Sequence, residues 1–283
     1  MNASQTKLVS YRVLRKSLPV VVLIGVLSSR LHAAPPFHGT IFIDPDIITS
    51  SDPTTFKSVT PAGQANRRMF DRRGEKWTEE NAYLFTARFD RGREIEIQVN
   101  PEFGSIQAAE VEAEKYTKVI GRLPTSLRAN VETVWIHRGM KLFGGGNKNL
   151  LIHTEQADQY TADGILEEAL VHEASHTSLD PTHAVAATWI KAQQADREFI
   201  SKYALENPKR EDIAESYLPY LAIRYRKDRI SDELAQKITR AMPHRIEYFD
   251  ALSLDLYPLV EARTSKAAKP SADAEKAAES PQR

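Results

Sequence analysis

At 283 residues, with 41% hydrophobic and 27% charged side chains, the chain has enough apolar content for one substantial core. Its 38 basic and 38 acidic groups cancel, leaving no net field to attract nucleic acid or an anionic membrane. There is no cysteine, which excludes a disulfide scaffold, a thiolate metal site and a cysteine nucleophile. Any metal site must therefore be built from His and carboxylates, the donor set of catalytic zinc.

In chain order, Lys7, Arg12, Arg15 and Lys16 precede an apolar run over residues 18–27, and small residues follow up to Ala33 and Ala34. The run is too short to span a bilayer comfortably, which favours a cleaved segment over the alternative of an uncleaved membrane anchor. The pattern predicts a signal peptide over residues 1–33, hence a secreted protein with no stable membrane insertion once it is removed. Residues 34–100 read as a β-rich accessory region. Residues 38–43 form a short strand in this reading, and the Ser/Thr/Pro/Asp/Arg-rich residues 50–80 form a loop. Residues 83–89 and 94–99 flank Gly92 as a hairpin. From Ser105 the period becomes helical and stops at Gly121 and Pro124. Residues 131–137 and 150–153 read as strands. Between them Gly144, Gly145 and Gly146 read as a tight loop, since the Lys and Ser/Thr of a phosphate-binding loop are missing.

Asp163 is expected to cap a helix over residues 165–177, and another helix is expected over residues 188–203. Asn207 and Pro208 are expected to open a helix running from Glu211 to Tyr225, with Pro219 kinking it or ending its first part. Short helices over 231–241 and 243–252 complete the fold. Residues 263–283, rich in Ala, Lys, Glu, Ser and Pro, are expected to be disordered.

The chemistry concentrates in His172-Glu173-Ala174-Ser175-His176. Helical residues four apart share a face, so His172 and His176 can address one Zn2+ ion from a rigid backbone. Glu173 then stands beside the ion as general base toward water and as acid toward a leaving amine. The two His extend the apolar stripe of their helix, so they face inward, where unpaired imidazoles are costly. Four residues compete as the third ligand. His183 is seven residues past His176, but Leu179 occupies the position where the metzincin pattern needs Gly. Asp180 suits the cap of the turn at Pro181. Glu211 and Glu215, again four apart, face one way, so that one can bind the ion while the other orients an imidazole.

The pattern of His-Glu-x-x-His followed by a carboxylate pair on a later helix resembles the gluzincins. Glu211-x-x-Ala214-Glu215 looks most like the lethal-factor branch and is also similar to thermolysin-type enzymes. The resemblance implies that Glu211 is the zinc ligand and Glu215 the carboxylate orienting a histidine. It implies an α+β, zincin-like domain over residues 101–262, with a small mixed sheet packed on helices and a helical C-terminal half. It further implies hydrolysis of a peptide or protein substrate, whose backbone would pair with an edge strand at residues 150–153. A gluzincin also offers a Tyr or His to the developing oxyanion; Tyr203, Tyr217, Tyr220 and His244 are candidates, Tyr217 foremost. His153 reads as structural. The alternative is a zincin-like module that binds zinc without catalysis.

Overall fold

The computed structural model describes residues 34–261, so the expected signal peptide and the expected disordered tail lie outside the described residues. In chain order the elements are β1 (Phe56–Asp71), β2 (Lys76–Phe89), β3 (Ile95–Val99), α1 (Ile106–Ile120), α2 (Thr125–Arg128), β4 (Thr133–His137), β5 (Gly144–Gly146) and β6 (Asn149–His153). There follow α3 (Thr154–Ala162), α4 (Leu166–Ser178), α5 (Asp180–His183), α6 (Ala187–Ala195), α7 (Lys202–Glu206), α8 (Asp212–Tyr225), α9 (Asp232–Ala241) and α10 (Pro243–Asp250). The class is mixed α+β, with one six-stranded sheet and ten α-helices among the described residues.

The strand order is β1-β2-β3-β4-β6-β5. β3, β4 and β6 run parallel; β1–β2, β2–β3 and β5–β6 are antiparallel. Strand side chains alternate between faces. Ile95, Ile97 and Val99, Val134 and Ile136, and Leu150 and Ile152 all point to one face and join a single core with the buried side of α1 and with α4. Ser105 caps α1 by accepting from the Ala108 N–H, as its position at the start of the helical period suggests.

The opposite face is not left open. β3 pairs with β2 only from Tyr83 to Ala87, so the distal part of the β1–β2 hairpin projects beyond it. A register shift at Pro61/Gly63, with Gly63 at φ 89°, bulges β1. The projecting ribbon lies across the outer face. Trp77 meets Trp135 edge-on at 5.4 Å, and Met69, Ala82 and Leu84 form a second small core against Trp135. Arg67 grips Glu96 of β3 through two 2.9 Å bonds.

Several expectations fail here, for identifiable reasons. Residues 34–100 are no separate accessory layer, because β1–β3 are half of the sheet. Residues 50–80 are not a loop; much of β1 is exposed on both faces, so it carries no apolar alternation to read. Residues 38–43 form no strand: Phe37 just before them makes an isolated bridge to Ser201, the Thr40 N–H bonds the Glu215 carboxylate, and the His38 carbonyl accepts the Tyr203 N–H. Asp163 ends α3 rather than capping α4, which begins after Ile165. The helix expected over 188–203 ends at Ala195. Asn207 and Pro208 do not open α8, whose N-cap is Glu211. Finally, α8 runs through Pro219 unbroken. Every residue from Asp212 to Ile223 is buried, and that packing outweighs the one N–H bond the proline withholds.

Candidate metal centre and cleft

α4 lies between the sheet edge and α8, and this sandwich builds the centre. His172 and His176 leave α4 on the side facing the start of α8. Glu211 stands at the N-cap of α8, and its neighbour Asp212 is pinned by buried Arg245 at 2.9 Å and by Gln193 at 2.9 Å. Arg245 also bonds Asp196 at 2.8 Å, so Glu211 is borne on a fixed backbone rather than a loose loop.

His172 Nε2, His176 Nε2 and Glu211 Oε2 form a triangle. Its edges are 3.1 Å between the two nitrogens, 3.1 Å from His176 to Glu211 and 3.4 Å from His172 to Glu211. Ligands at zinc distances of about 2.0–2.1 Å on three corners of a tetrahedron stand about 3.3 Å apart. The donor atoms thus fit one small divalent ion, and the group can hold a metal. The far side of each ring is also engaged. Glu215 Oε1 faces His172 Nδ1 at 3.3 Å, while its Oε2 accepts the Thr40 N–H at 2.9 Å. Asp180 Oδ2 meets His176 Nδ1 at 2.6 Å. With a proton on each Nδ1, both Nε2 lone pairs aim into the triangle.

The electrostatics agree with this geometry. Burial opposes charge on His172, yet Glu211 and Glu215 push its pKa up to about 10. Burial likewise opposes charge on His176, and Asp180 with Glu211 raises it to about 9. Glu211 is resisted by burial, but the two imidazoles hold it well below the usual carboxylate range. The pocket is built to attract positive charge, and in the absence of a cation it gathers protons.

A cleft of about 610 Å³ opens onto the triangle, with Glu173 in its wall. Phe42 and Leu142, 66% and 61% exposed, flank it as an apolar rim. The edge strand beside α4 is β5, not residues 150–153: β6 pairs with β4 throughout and with β5 over Asn149, Leu150 and Leu151. The triple glycine is therefore a strand, and the reason is steric: a Cβ at Gly145 would lie 1.9 Å from the Glu173 carbonyl oxygen. Only a bare backbone can run so close to α4.

Of the expected residues, His172, Glu173, His176, Glu211 and Glu215 come together in this cleft. Tyr217 does not. Two residues past Glu215 on a helix is about 200° around the axis, and its ring lies buried against Phe249 at 5.4 Å and Tyr220 at 5.9 Å. Of the expected tyrosines, Tyr203 reaches the cleft, where its hydroxyl donates to Glu211 Oε1 at 3.1 Å; Tyr160, not singled out by the sequence, lines it as well. His244 pairs with Asp196, Tyr220 with Tyr225, and His183 with Tyr248. His153 bonds the Arg138 carbonyl at 2.9 Å and stacks on His137 under the hairpin, as a structural residue does. Asp180, which the sequence suits to capping the turn at Pro181, instead holds the His176 ring from the start of α5, just past the end of α4; the four-residue spacing is the signal for that contact. No protein-family model, curated protein or solved structure matches the chain. No helix among the described residues is long and apolar enough to cross a membrane.

Proposed function

We propose that this chain is a secreted zinc metallopeptidase of the gluzincin type. The observation that carries the reading is the triangle of His172, His176 and Glu211 with edges near those of a zinc tetrahedron, standing beside Glu173 in an open cleft. His172, His176 and Glu211 hold the ion, with Glu215 and Asp180 fixing the imidazoles. Zinc bound there supplies Lewis acidity, acidifying water and polarising a carbonyl.

The residues divide the remaining work. Glu173 takes the proton of the attacking water and returns it to the leaving amine. A peptide strand lies along the free edge of β5, where backbone pairing holds the scissile bond against α4. Tyr203 takes the place expected of Tyr217. Burial, helped by Glu211, raises its pKa, so its hydroxyl stays protonated and can donate to developing negative charge. Glu173→Gln is expected to retain stoichiometric zinc while turnover of a peptide library falls at least ~1,000-fold. Retained turnover in that variant overturns the role of Glu173. Bound zinc with no cleavage by the wild-type protein leaves the non-catalytic zinc module instead.

A further inference from the structure

The hairpin that covers the outer face of the sheet also delivers a cation to the cleft. Its arginines are mostly committed. Arg67 is clamped on Glu96, Arg68 lies over the Trp77 ring at 4.7 Å, and Arg73 pairs with Asp71 and Glu102 at 2.8 and 2.7 Å. Arg72, at the hairpin tip, is half-buried, lines the cleft, and has no hydrogen bond or ion pair among the described residues. The other cleft arginine, Arg210, is already 3.2 Å from Glu211 and mostly in solvent. A half-buried guanidinium without a partner is costly to keep unless something answers it.

Its position is specific. Gly144 is paired to Leu151, on the sheet face opposite the core, while the next residue, Gly145, faces α4. A Cβ at Gly144 would stand 2.8 Å from Arg72 Nη2, so the missing side chain is what lets the guanidinium lie over the edge strand. A peptide pairing with β5 alternates its side chains between the two faces. Those on one side meet α4 and Glu173; those on the other meet Arg72.

We propose that Arg72 is a specificity-determining residue that reads a carboxylate on the bound peptide, a proposal that rests on the peptidase reading above. The carboxylate comes either from an acidic side chain beside the scissile bond or from the C-terminus of the peptide. Arginine suits either source, because its planar fork donates to both carboxylate oxygens at once. The facing carboxylates of the cleft would otherwise repel such a substrate, which makes an uncommitted cation necessary rather than decorative.

The test uses the zinc-loaded full chain and matched fluorogenic peptides: Glu against Gln at each position flanking the cleaved bond, and free acid against amide at the C-terminus. The wild-type protein is expected to favour one carboxylate-bearing member by about tenfold in kcat/KM. Arg72→Gln should abolish that ratio, with stoichiometric zinc and an unchanged urea midpoint as the folding control. Arg72→Lys should restore part of the preference, since it keeps the charge but loses the fork. The Glu/Gln arm and the acid/amide arm identify the source of the carboxylate. A preference that survives in Arg72→Gln, or no preference in the wild-type protein, overturns the proposal. If no peptide is cleaved, the peptidase reading fails separately, and fluorescence anisotropy with the intact peptides decides: carboxylate preference lost in Arg72→Gln upholds the proposal, and its absence sinks it.

Discussion

Replacing Gly145 by alanine is the sharpest perturbation this fold allows close to the chemistry without touching a side chain of the site. The added Cβ would fall 1.9 Å from the Glu173 carbonyl oxygen and 2.9 Å from Glu173 Cα, both backbone atoms that no rotamer change can clear. Ordinary contact needs about 3.4 Å, so β5 and α4 must part by more than about 1 Å. Overpacking of this kind costs about 1–3 kcal/mol, and a 1 Å misplacement of a reacting group about 100-fold in rate. The expected result is a lower urea midpoint, kcat reduced about 100-fold, and zinc still bound, because no ligand moves off α4 or α8. The neighbouring glycines supply the controls. At Gly144 the obstacle is the movable end of Arg72, and at Gly146 nothing lies within 4 Å but φ is 106°. Gly144→Ala should therefore barely change stability, and Gly146→Ala should cost about 1–3 kcal/mol of backbone strain. Equal stability and activity for wild type and Gly145→Ala would show that β5 does not press on α4.

Glu215→Gln is expected to weaken zinc about 10–100-fold in competition with a chromophoric chelator, since an amide orients His172 less well and adds no charge; unchanged affinity removes Glu215 from the site. Acid stability should follow His137. Burial first, and His153 beside it second, lower its pKa to about 4. Below an unfolded value near 6.5 the unfolded chain binds a proton that the native chain refuses, so stability is present above that pH and is lost as pH falls toward 4. The loss is at most about 3 kcal/mol. His137→Gln should shrink the difference between urea midpoints at pH 7 and pH 4.5, and an unaltered difference would place the acid sensitivity elsewhere.

How much of this was legible depended on whether a signal was local. The α1 cap, the His172/His176 face and the Glu211/Glu215 pair are all set by spacing within one helix, and each survives folding. The long hairpin was not legible. Its polar β1 packs by bending over another strand's outer face, and Trp135 and Trp77 meet through tertiary contact that periodicity does not encode. The triple glycine was misread for a related reason. Glycine is depleted in strands on average, but here the backbone of α4 beside Gly145 and the φ of 106° at Gly146 demand it. Tyr217 stays out of the cleft because sharing a helix with Glu211 is not sharing its face, whereas Tyr203 comes to the cleft from the first turn of α7.

The charge of the cleft ties these parts together. Glu173, Asp180, Glu211 and Glu215 place four carboxylates around one opening, with Arg72 and Arg210 as its cationic side chains. With neutral imidazoles this leaves two negative charges uncompensated, which is the charge of one divalent ion. Without that ion, the raised pKa values of His172 and His176 indicate what substitutes for it: protons enter the same triangle. Metal entry must then expel them, so zinc affinity should climb as pH rises from 6 to 8, beyond the point where an ordinary imidazole is already neutral. A zinc affinity that levels off near pH 6.5 would mean that Glu211, Glu215 and Asp180 do not act on the imidazoles as their distances require.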